Sequence, residues 1–497
     1  MSKVVIIGSG LGGLTCGYIL QKNGYDVTIL EQGFQIGGCL QCFSRRGTKF
    51  ETGMHFIGSA LPGQTLYRLM RYFGLENIGL NSLDTSAYNT IAISGSEFGI
   101  PNGNDEFIEK LSSYFPSQRD SLKKYIDIIN QISLASSIDS LTSETRDIAA
   151  STEYQLRSIN NVLDSLFTDE LLKNVLVGDL PLYTAQQDKT PFSLHAFIMD
   201  FYNKSAFRII GGSDNIAKSL AESITKMGGR ILTKKKVVKI HCDDYKATSV
   251  ETNTEEQFDA DYIISTVHPN RMLEMLDTKL IRPAFKTRIN AISQTSSAFA
   301  VYVNFKENKV PYMNTNLYVY STDSPWNCES YTKEEWPKLF LYMHMCHEKN
   351  PTWAKSGVVL AYMNMEDVLP WKGTQIGKRG DDYEVFKKYY AERLIASVEK
   401  YRSGFTASIE NYYTSTPLTY LDYTGTEDGS IYGIAKDVNL GHAGRVSHKT
   451  RIPNLYLAGQ NVNSHGILGV MVGTIVTCSE FIPASDILKQ IDESNSK

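Results

Sequence analysis

The sequence predicts an α/β protein in two parts: a Rossmann-like parallel-sheet domain, and a second α+β domain of antiparallel sheet with inserted helices. Three observations predict it. A glycine-rich turn joins an apolar strand to a helix at the N-terminus, a long stretch of helical periodicity follows, and four aromatic-rich β segments fill the later chain. At 497 residues the chain is longer than one core usually serves, which fits two domains able to enclose a large ligand.

Lys3 to Gly8 reads as a buried parallel strand, Gly12 to Asn23 as a helix stopped by Gly24, and Tyr25 to Glu31 as a second strand, together one βαβ unit. From Asn104 to about Leu172 the period becomes helical, with Phe107, Leu111 and Phe115, then Leu122, Ile126 and Ile129. Ser213 to Lys226 reads as an amphipathic helix on Ile216, Leu220 and Ile224, with Ser213 as N-cap and Gly228-Gly229 after it. Strands follow at Lys236 to Ile240 and Asp261 to Thr266. Ser297 to Phe305, Leu317 to Tyr320, Leu339 to Met345 and Val358 to Met363 are rich in Tyr, Val and Phe, and predict an antiparallel sheet. The polar tail Asp492 to Lys497 is expected to fray.

With 42% hydrophobic residues, 21% charged residues and a net charge of -4, the composition is that of an ordinary globular protein and argues against a nucleic-acid partner. Met1-Ser2-Lys3 runs straight into Val4-Val5-Ile6-Ile7, without the layout of a signal peptide. The apolar stretch Leu455 to Val476 is broken by Gln460, Asn461, Asn463, Ser464 and His465, short of the roughly 18 apolar residues of a spanning helix. A cytoplasmic protein, soluble or associated with a membrane at its surface, is the expectation. Seven cysteines, an odd number, suit a reducing compartment without structural disulfides.

Gly8-Ser9-Gly10-Leu11-Gly12-Gly13 is G-x-G-x-x-G between strand and helix. Gly8 permits the tight turn, Gly10 lets a pyrophosphate approach the backbone, and Gly13 lets helix and sheet pack closely. The helix N-terminus then faces the phosphates. Glu31 follows Gly13 by 18 residues, close to the spacing of an acid that accepts hydrogen bonds from a ribose.

Further segments choose the nucleotide. Gly37-Gly38 precedes Gly47-Thr48-Lys49-Phe50-Glu51-Thr52-Gly53-Met54-His55-Phe56-Ile57-Gly58. In the middle stand Gly211-Gly212, Val237 and Ser265-Thr266-Val267; near the C-terminus come Asn454 to Asn461, with Gly459-Gln460, and then Gly466 to Met471. These runs resemble the FAD-wrapping segments of the superfamily containing phytoene desaturases, carotenoid isomerases, retinol saturases and flavin amine oxidases. Ser193 to Tyr202, Thr416-Pro417-Leu418-Thr419 and Gly429 to Gly433 bring the chain closest to retinol saturase-like members. The resemblance implies an interrupted FAD-binding domain of the glutathione-reductase-2 type from 1–80, 205–275 and 420–490, and a substrate domain from 81–204 and 276–419. It implies that FAD is bound noncovalently by Gly8, Gly10, Leu11, Gly12, Gly13, Glu31, Gln32, Gly38, Cys39, Gly53, Met54, His55, Val237, Thr266, Val267, Gly459, Gln460, Asn461, Gly469, Val470 and Met471. Cys478 lies in no covalent-flavin motif. Asn461 replaces a common Asp, keeping hydrogen bonds but not charge, and Glu51 replaces another.

His55 and His465 are the candidate catalytic side chains, each able to orient the flavin, move a proton or simply pack. Cys39-x-x-Cys42 raises a dithiol reading, against which stands the absence of a second G-x-G-x-x-G for a nicotinamide domain. Electrons then come from or go to a mobile partner such as NAD(P)H or a quinone. His344-x-Cys346-His347 lacks a second ligand cluster, and no metal is expected; His195 is expected to pack on a helix. With 29 Tyr and 21 Phe, the chain suits either a tunnel for an apolar ligand or an aromatic core. The resemblance implies hydride transfer at a C–C or C=C bond of a carotenoid or retinoid-like polyene, as saturase, desaturase or isomerase. Flavin amine oxidase and a prenyl-lipid carrier of the GDP dissociation inhibitor type are the alternatives.

Overall fold

The computed structural model describes residues 1–135, 141 and 149–496. β1 (Lys3–Ile7) sits at the centre of a five-stranded parallel sheet, between β2 (Asp26–Leu30) and the strand Tyr262–Ser265. Arg230–Leu232 pairs outside β2, and Leu455–Leu457 outside Tyr262–Ser265. Strands distant in sequence therefore meet in one sheet. The run Val4 to Ile7 is apolar without alternation because both of its faces are covered. α1 (Leu11–Lys22) packs on the helices Asp214–Lys226 and Gly466–Cys478. Gly24 then takes φ +85°, the left-handed turn that ends it.

Ser213 holds the N-cap position of the helix Asp214–Lys226 but does not cap it. Its hydroxyl instead donates to the Leu40 carbonyl at 3.1 Å, tying the turn after Gly37-Gly38 to this helix. The C-terminal tail also departs from expectation. The last helix runs Ala484–Asn495, held by the Arg68–Asp492 ion pair at 2.6 Å and by Asn495 Nδ2 donating to the Arg68 carbonyl at 3.1 Å. Residues 136–140 and 142–148 of the expected helical insertion, and Lys497 of the tail, lie outside the described residues.

The second sheet has seven strands, in the order Ile409–Ser415, Ala298–Phe305, Ser356–Tyr362, Leu339–His344, Asn316–Tyr320, Asn89–Ile93 and Ser96–Ile100. It is not purely antiparallel, because Asn316–Tyr320 runs parallel to Asn89–Ile93. The last two strands form a hairpin whose turn residues Ser94 and Gly95 both have positive φ, +50° and +76°, as a two-residue hairpin turn requires. One face carries Tyr302, Tyr318, Tyr320, Leu341 and Met343 into a core shared with the inserted helices Arg119–Leu134 and Phe192–Lys204. The opposite face, with Phe299, Val301 and Phe340, is covered by the helix Asp381–Tyr401. The period-2 alternation of the strands thus separates two cores.

A short sheet of Ile57–Gly58, Ala206–Ile209 and Leu80–Ser82 stands between the two large ones. Arg208 from its middle strand is 1% exposed. Its guanidinium donates to the His55 carbonyl (3.3 Å), the Thr315 carbonyl (3.1 Å) and Asn316 Oδ1 (2.8 Å), joining the N-terminal segment to the larger sheet.

A Cβ on Gly13 would stand 2.0 Å from the Gly8 carbonyl oxygen, which is backbone and cannot rotate away. Gly13→Ala is therefore expected to destabilise the fold by about 2 kcal/mol or more, the range of an overpacked core. Thermal or urea denaturation measures it; an unchanged midpoint would show that α1 can lift off β1 freely.

Candidate functional site

A cleft of about 1380 Å³, its mouth included, opens over the C-terminal ends of β1 and β2. Its floor is the turn Gly8 to Gly12. Gly8 has φ +99°, and a Cβ there would meet Thr266 Oγ1 at 2.7 Å; a Cβ on Gly12 would meet Gly459 Cα at 3.0 Å. No side chain caps α1, and its first turn has no acidic residue, so its leading N–H groups face the cleft as donors. Glu31 lies at the rim. Its Oε2 accepts from the Ser9 amide (3.0 Å) and hydroxyl (2.6 Å), and its Oε1 from the Gly33 amide (2.7 Å).

Of the residues singled out by sequence, Gly8, Gly10, Leu11, Gly12, Glu31, Gln32, Gly38, Cys39, Gly53 and Met54 line this cleft, as do Val237, Thr266, Val267, Gly459, Gln460, Asn461 and Val470. Gly13, Gly469 and Met471 do not. Gly13 is the packing contact described above. Met471 is fully buried in the core, and Gly469 faces Ser464 beside another cavity. Along Gly466–Cys478 helical geometry turns Gly466 and Ile467 to the cleft and then Val470, three and four residues on, rather than the consecutive positions Gly469 to Met471. Thr424, Ile431 and Tyr432 also line it without having been singled out as binding residues, although Ile431 and Tyr432 lie in the Gly429 to Gly433 run.

Behind the cleft lies an apolar cavity that shares Cys39, Gly53, Met54, Tyr432, Gly466 and Ile467 with it. Its far wall is the larger sheet, through Leu339, Leu341, Met343 and Leu360. His55 lines this cavity and not the cleft. Burial, and then the nearby Arg208 charge, lower its pKa to about 3, so the imidazole is neutral, and its Nδ1 has no hydrogen-bond partner. His465 lines a third cavity, with its ring 4.4 Å from that of Tyr432; burial, then the Lys436 charge, lower it to about 4. The two histidines are thus not brought into one cavity. The third cavity meets the second at Leu182, Tyr202, Gly466 and Ile467.

The family model of the flavin containing amine oxidoreductases matches residues 11–376. The chain belongs to this family. It is 28% identical to rat all-trans-retinol 13,14-reductase over 99% of the chain and 87% of the relative. It is 23% identical to the 1-hydroxycarotenoid 3,4-desaturase of a Flavobacterium species, over 97% of the chain and 99% of that protein. An oxidoreductase structure from Methanosarcina mazei superposes with a TM-score of 0.62 at 16% identity, covering 96% of this chain and all of that one, and shares the fold.

As a flavin containing amine oxidoreductase the chain is an FAD-dependent oxidoreductase, and the cleft's donors suit the cofactor. The uncapped turn of α1 matches a pyrophosphate, and Glu31 matches ribose hydroxyls. Burial pushes the Cys39 thiol up to about 11 and the Cys42 thiol up to about 12, away from the lowered range of reactive dithiols. His344 accepts the Met313 amide (2.8 Å) and meets the Tyr342 hydroxyl (2.5 Å), while His347 meets Ser356 Oγ (2.7 Å). Among the described residues no group of three or more His, Cys, Asp or Glu is placed to hold a metal. His195 sits on the helix Phe192–Lys204 between the hydroxyls of Tyr125 and Tyr183, both at 2.7 Å.

Glu51 is buried beneath the cavity with Oε1 unpartnered, and burial raises its pKa to about 8 against the pull of Arg208. A carboxyl raised in the fold contributes stability that is present below its unfolded value, near 4.5, and lost as pH rises through about 8. Glu51→Gln is therefore expected to gain melting temperature over the parent as pH goes from 5 to 9, at most about 1.4 kcal/mol per pH unit. Melting curves of the flavin-loaded protein decide it; a difference that stays constant with pH would mean that Glu51 is ionised in the fold.

Proposed function

We propose that this chain is a polyene oxidoreductase, moving hydride at a C–C or C=C bond of an extended apolar substrate seated in the cavity behind the nucleotide cleft. The carrying observation is the continuity of that cavity with the cleft through Gly53, Met54, Tyr432 and Ile467, which lets an apolar chain lie against whatever the cleft presents. The all-trans-retinol and hydroxycarotenoid named for the two relatives point to the same substrate class. Bound FAD supplies hydride exchange.

The protein's own residues position and exclude. Gly10 to Gly12 and the α1 N-terminus hold the pyrophosphate, Glu31 the adenosine ribose, and Val237 and Thr266 the rim beside them. Leu339, Leu341, Met343 and Leu360 keep water from the reacting carbons. His55, held neutral and with a free Nδ1, offers a hydrogen bond there. His465 sits behind Tyr432 and fixes that ring. The electrons pass to or from a diffusing partner, NAD(P)H or a quinone. Among the described residues no helix is long and apolar enough to cross a membrane.

Two experiments test this. Glu31→Gln is expected to weaken FAD by about tenfold or more, the loss of a hydrogen bond to a charged acceptor, in a fluorescence titration; unchanged affinity would remove Glu31 from the site. Anaerobic incubation of oxidised and reduced holoenzyme with a panel of polyenes, followed by product mass and retention, should give a gain or loss of two hydrogens or an isomer. Unaltered polyenes together with peroxide release from amines would replace the proposal with amine oxidation.

A further inference from the structure

The third cavity, about 1940 Å³ with its mouth included, has one wall made by the helix Phe192–Lys204. Leu194, Phe197, Ile198 and Phe201 fall three and four apart and face it together. Leu194, Phe197 and Ile198 are only half-buried, whereas Phe192, Ala196 and Met199 on the helix's other face are buried. The loop 436–445 also lines the cavity, and its backbone is fixed on both sides of Lys436. The Ala435 amide donates to the Ser293 carbonyl (2.9 Å) and the Val438 amide to the Lys189 carbonyl (2.8 Å). The charged side chains here are Asp200, Lys204, Lys436, Asp437 and Arg445. Lys204 is paired with Asp200 at 2.6 Å, and Asp437 Oδ1 accepts the Asn439 amide (2.8 Å) and Nδ2 (3.0 Å). Lys436 is half-buried, and among the described residues it has neither an ion pair nor a hydrogen bond. Arg445 is exposed and donates to Gln155 Oε1 at 3.0 Å. The two cations feel each other, since burial and then the Arg445 charge lower Lys436 to about 8.

We propose that Lys436 and Arg445 hold the carboxylate of a long-chain acid whose apolar tail lies along Leu194, Phe197 and Ile198 in the third cavity. Beyond the Asp200–Lys204 pair, Lys436 and Arg445 stand against Asp437 alone, with His465 held neutral, so the cavity carries one uncompensated positive charge that a single carboxylate neutralises. A carboxylate also accepts from both cations at once. The tail takes three half-exposed apolar side chains out of water. An alcohol of the same chain covers that wall and leaves Lys436 unanswered; a small anion does the reverse. The site goes beyond the chemistry assigned to the second cavity, and polyene turnover there neither supports nor overturns it. A chain long enough reaches the second cavity where the two meet, at Leu182, Tyr202, Gly466 and Ile467.

The test is calorimetric titration of the flavin-loaded protein with palmitate, palmityl alcohol, acetate and inorganic phosphate. Palmitate is expected to bind about tenfold or more tighter than the alcohol, as a hydrogen bond between charged groups allows. Acetate and phosphate, which leave the apolar wall uncovered, should bind at least about tenfold more weakly than palmitate. Lys436→Met keeps the length of the side chain without its charge. It should bring palmitate within about twofold of the alcohol while leaving the alcohol's affinity, the flavin affinity and the melting temperature unchanged or higher. Lys436→Arg should keep the preference. Alcohol bound as tightly as the acid by the parent overturns the site, and so does a Lys436→Met variant that still prefers the acid. Acetate or phosphate bound as tightly as palmitate overturns the long-chain ligand in favour of a bare anion. A Lys436→Met variant that loses flavin affinity overturns the proposal as well and assigns Lys436 to the cofactor.

Discussion

The guanidinium of Arg208 is a buried charge to which no carboxylate among the described residues is bonded, and much of the site's character depends on where it lies. Three oxygen acceptors, from His55, Thr315 and Asn316, replace water at its two terminal nitrogens, while the buried Nε has no partner. Those acceptors come from two separate stretches of chain, so these bonds form only when the N-terminal segment, the short middle sheet that carries Arg208 and the start of the strand Asn316–Tyr320 are all in place. Its charge then acts on its neighbours. It joins burial in keeping His55 neutral, and it pulls on Glu51 without overcoming the desolvation that keeps that carboxyl protonated. The floor beneath the apolar cavity thus carries one firm positive charge and two groups held uncharged.

That balance suits a cavity whose ligand is apolar. An ionised Glu51 or a protonated His55 would draw water toward the reacting region, and the surroundings oppose both. The nucleotide cleft is organised the other way, with N–H donors and a carboxylate held ready by Ser9 and Gly33. The two environments touch along the wall formed by Gly53, Met54, Tyr432, Gly466 and Ile467. A polar, charged cofactor and a greasy substrate can each be solvated on its own side and still meet there.

The nucleotide half was legible in the sequence because its signals are local. Gly8 to Gly13 lies between a strand and a helix, and the pattern is readable there although only Gly13 answers to a contact inside the turn, while Gly8, Gly10 and Gly12 meet Thr266, Gly38 and Gly459. The larger sheet was only partly legible. Asn89 to Ile100 carries alternating Ile91, Ile93, Phe98 and Ile100 around a Ser94-Gly95 turn, a hairpin signal hidden beside a long helical stretch, and its parallel pairing with Asn316–Tyr320 is long-range and leaves no local trace. Ser213 shows a similar limit. Its identity fits a cap, but Leu40, distant in sequence, offered a better use for the hydroxyl. The cavities were not legible at all, since their walls join side chains from the N-terminal segment, the sheet and the loop near 430.

Asn461 shows how such a site absorbs a change of charge. The resemblance places an aspartate at this position, and its loss would matter if the charge itself were needed. In the structure Asn461 Oδ1 accepts the Ile434 amide at 3.0 Å, and a Cβ on Gly433 would stand 2.0 Å from that oxygen. The glycine and the amide oxygen fit against each other, so this side chain holds the loop that carries Ser430, Ile431 and Tyr432 into the cavity. A carbonyl oxygen performs that bracing as well as a carboxylate, and in a buried place it avoids desolvating a charge. The neutral residue therefore preserves the loop that brings Ile431 and Tyr432 into the wall shared by cleft and cavity.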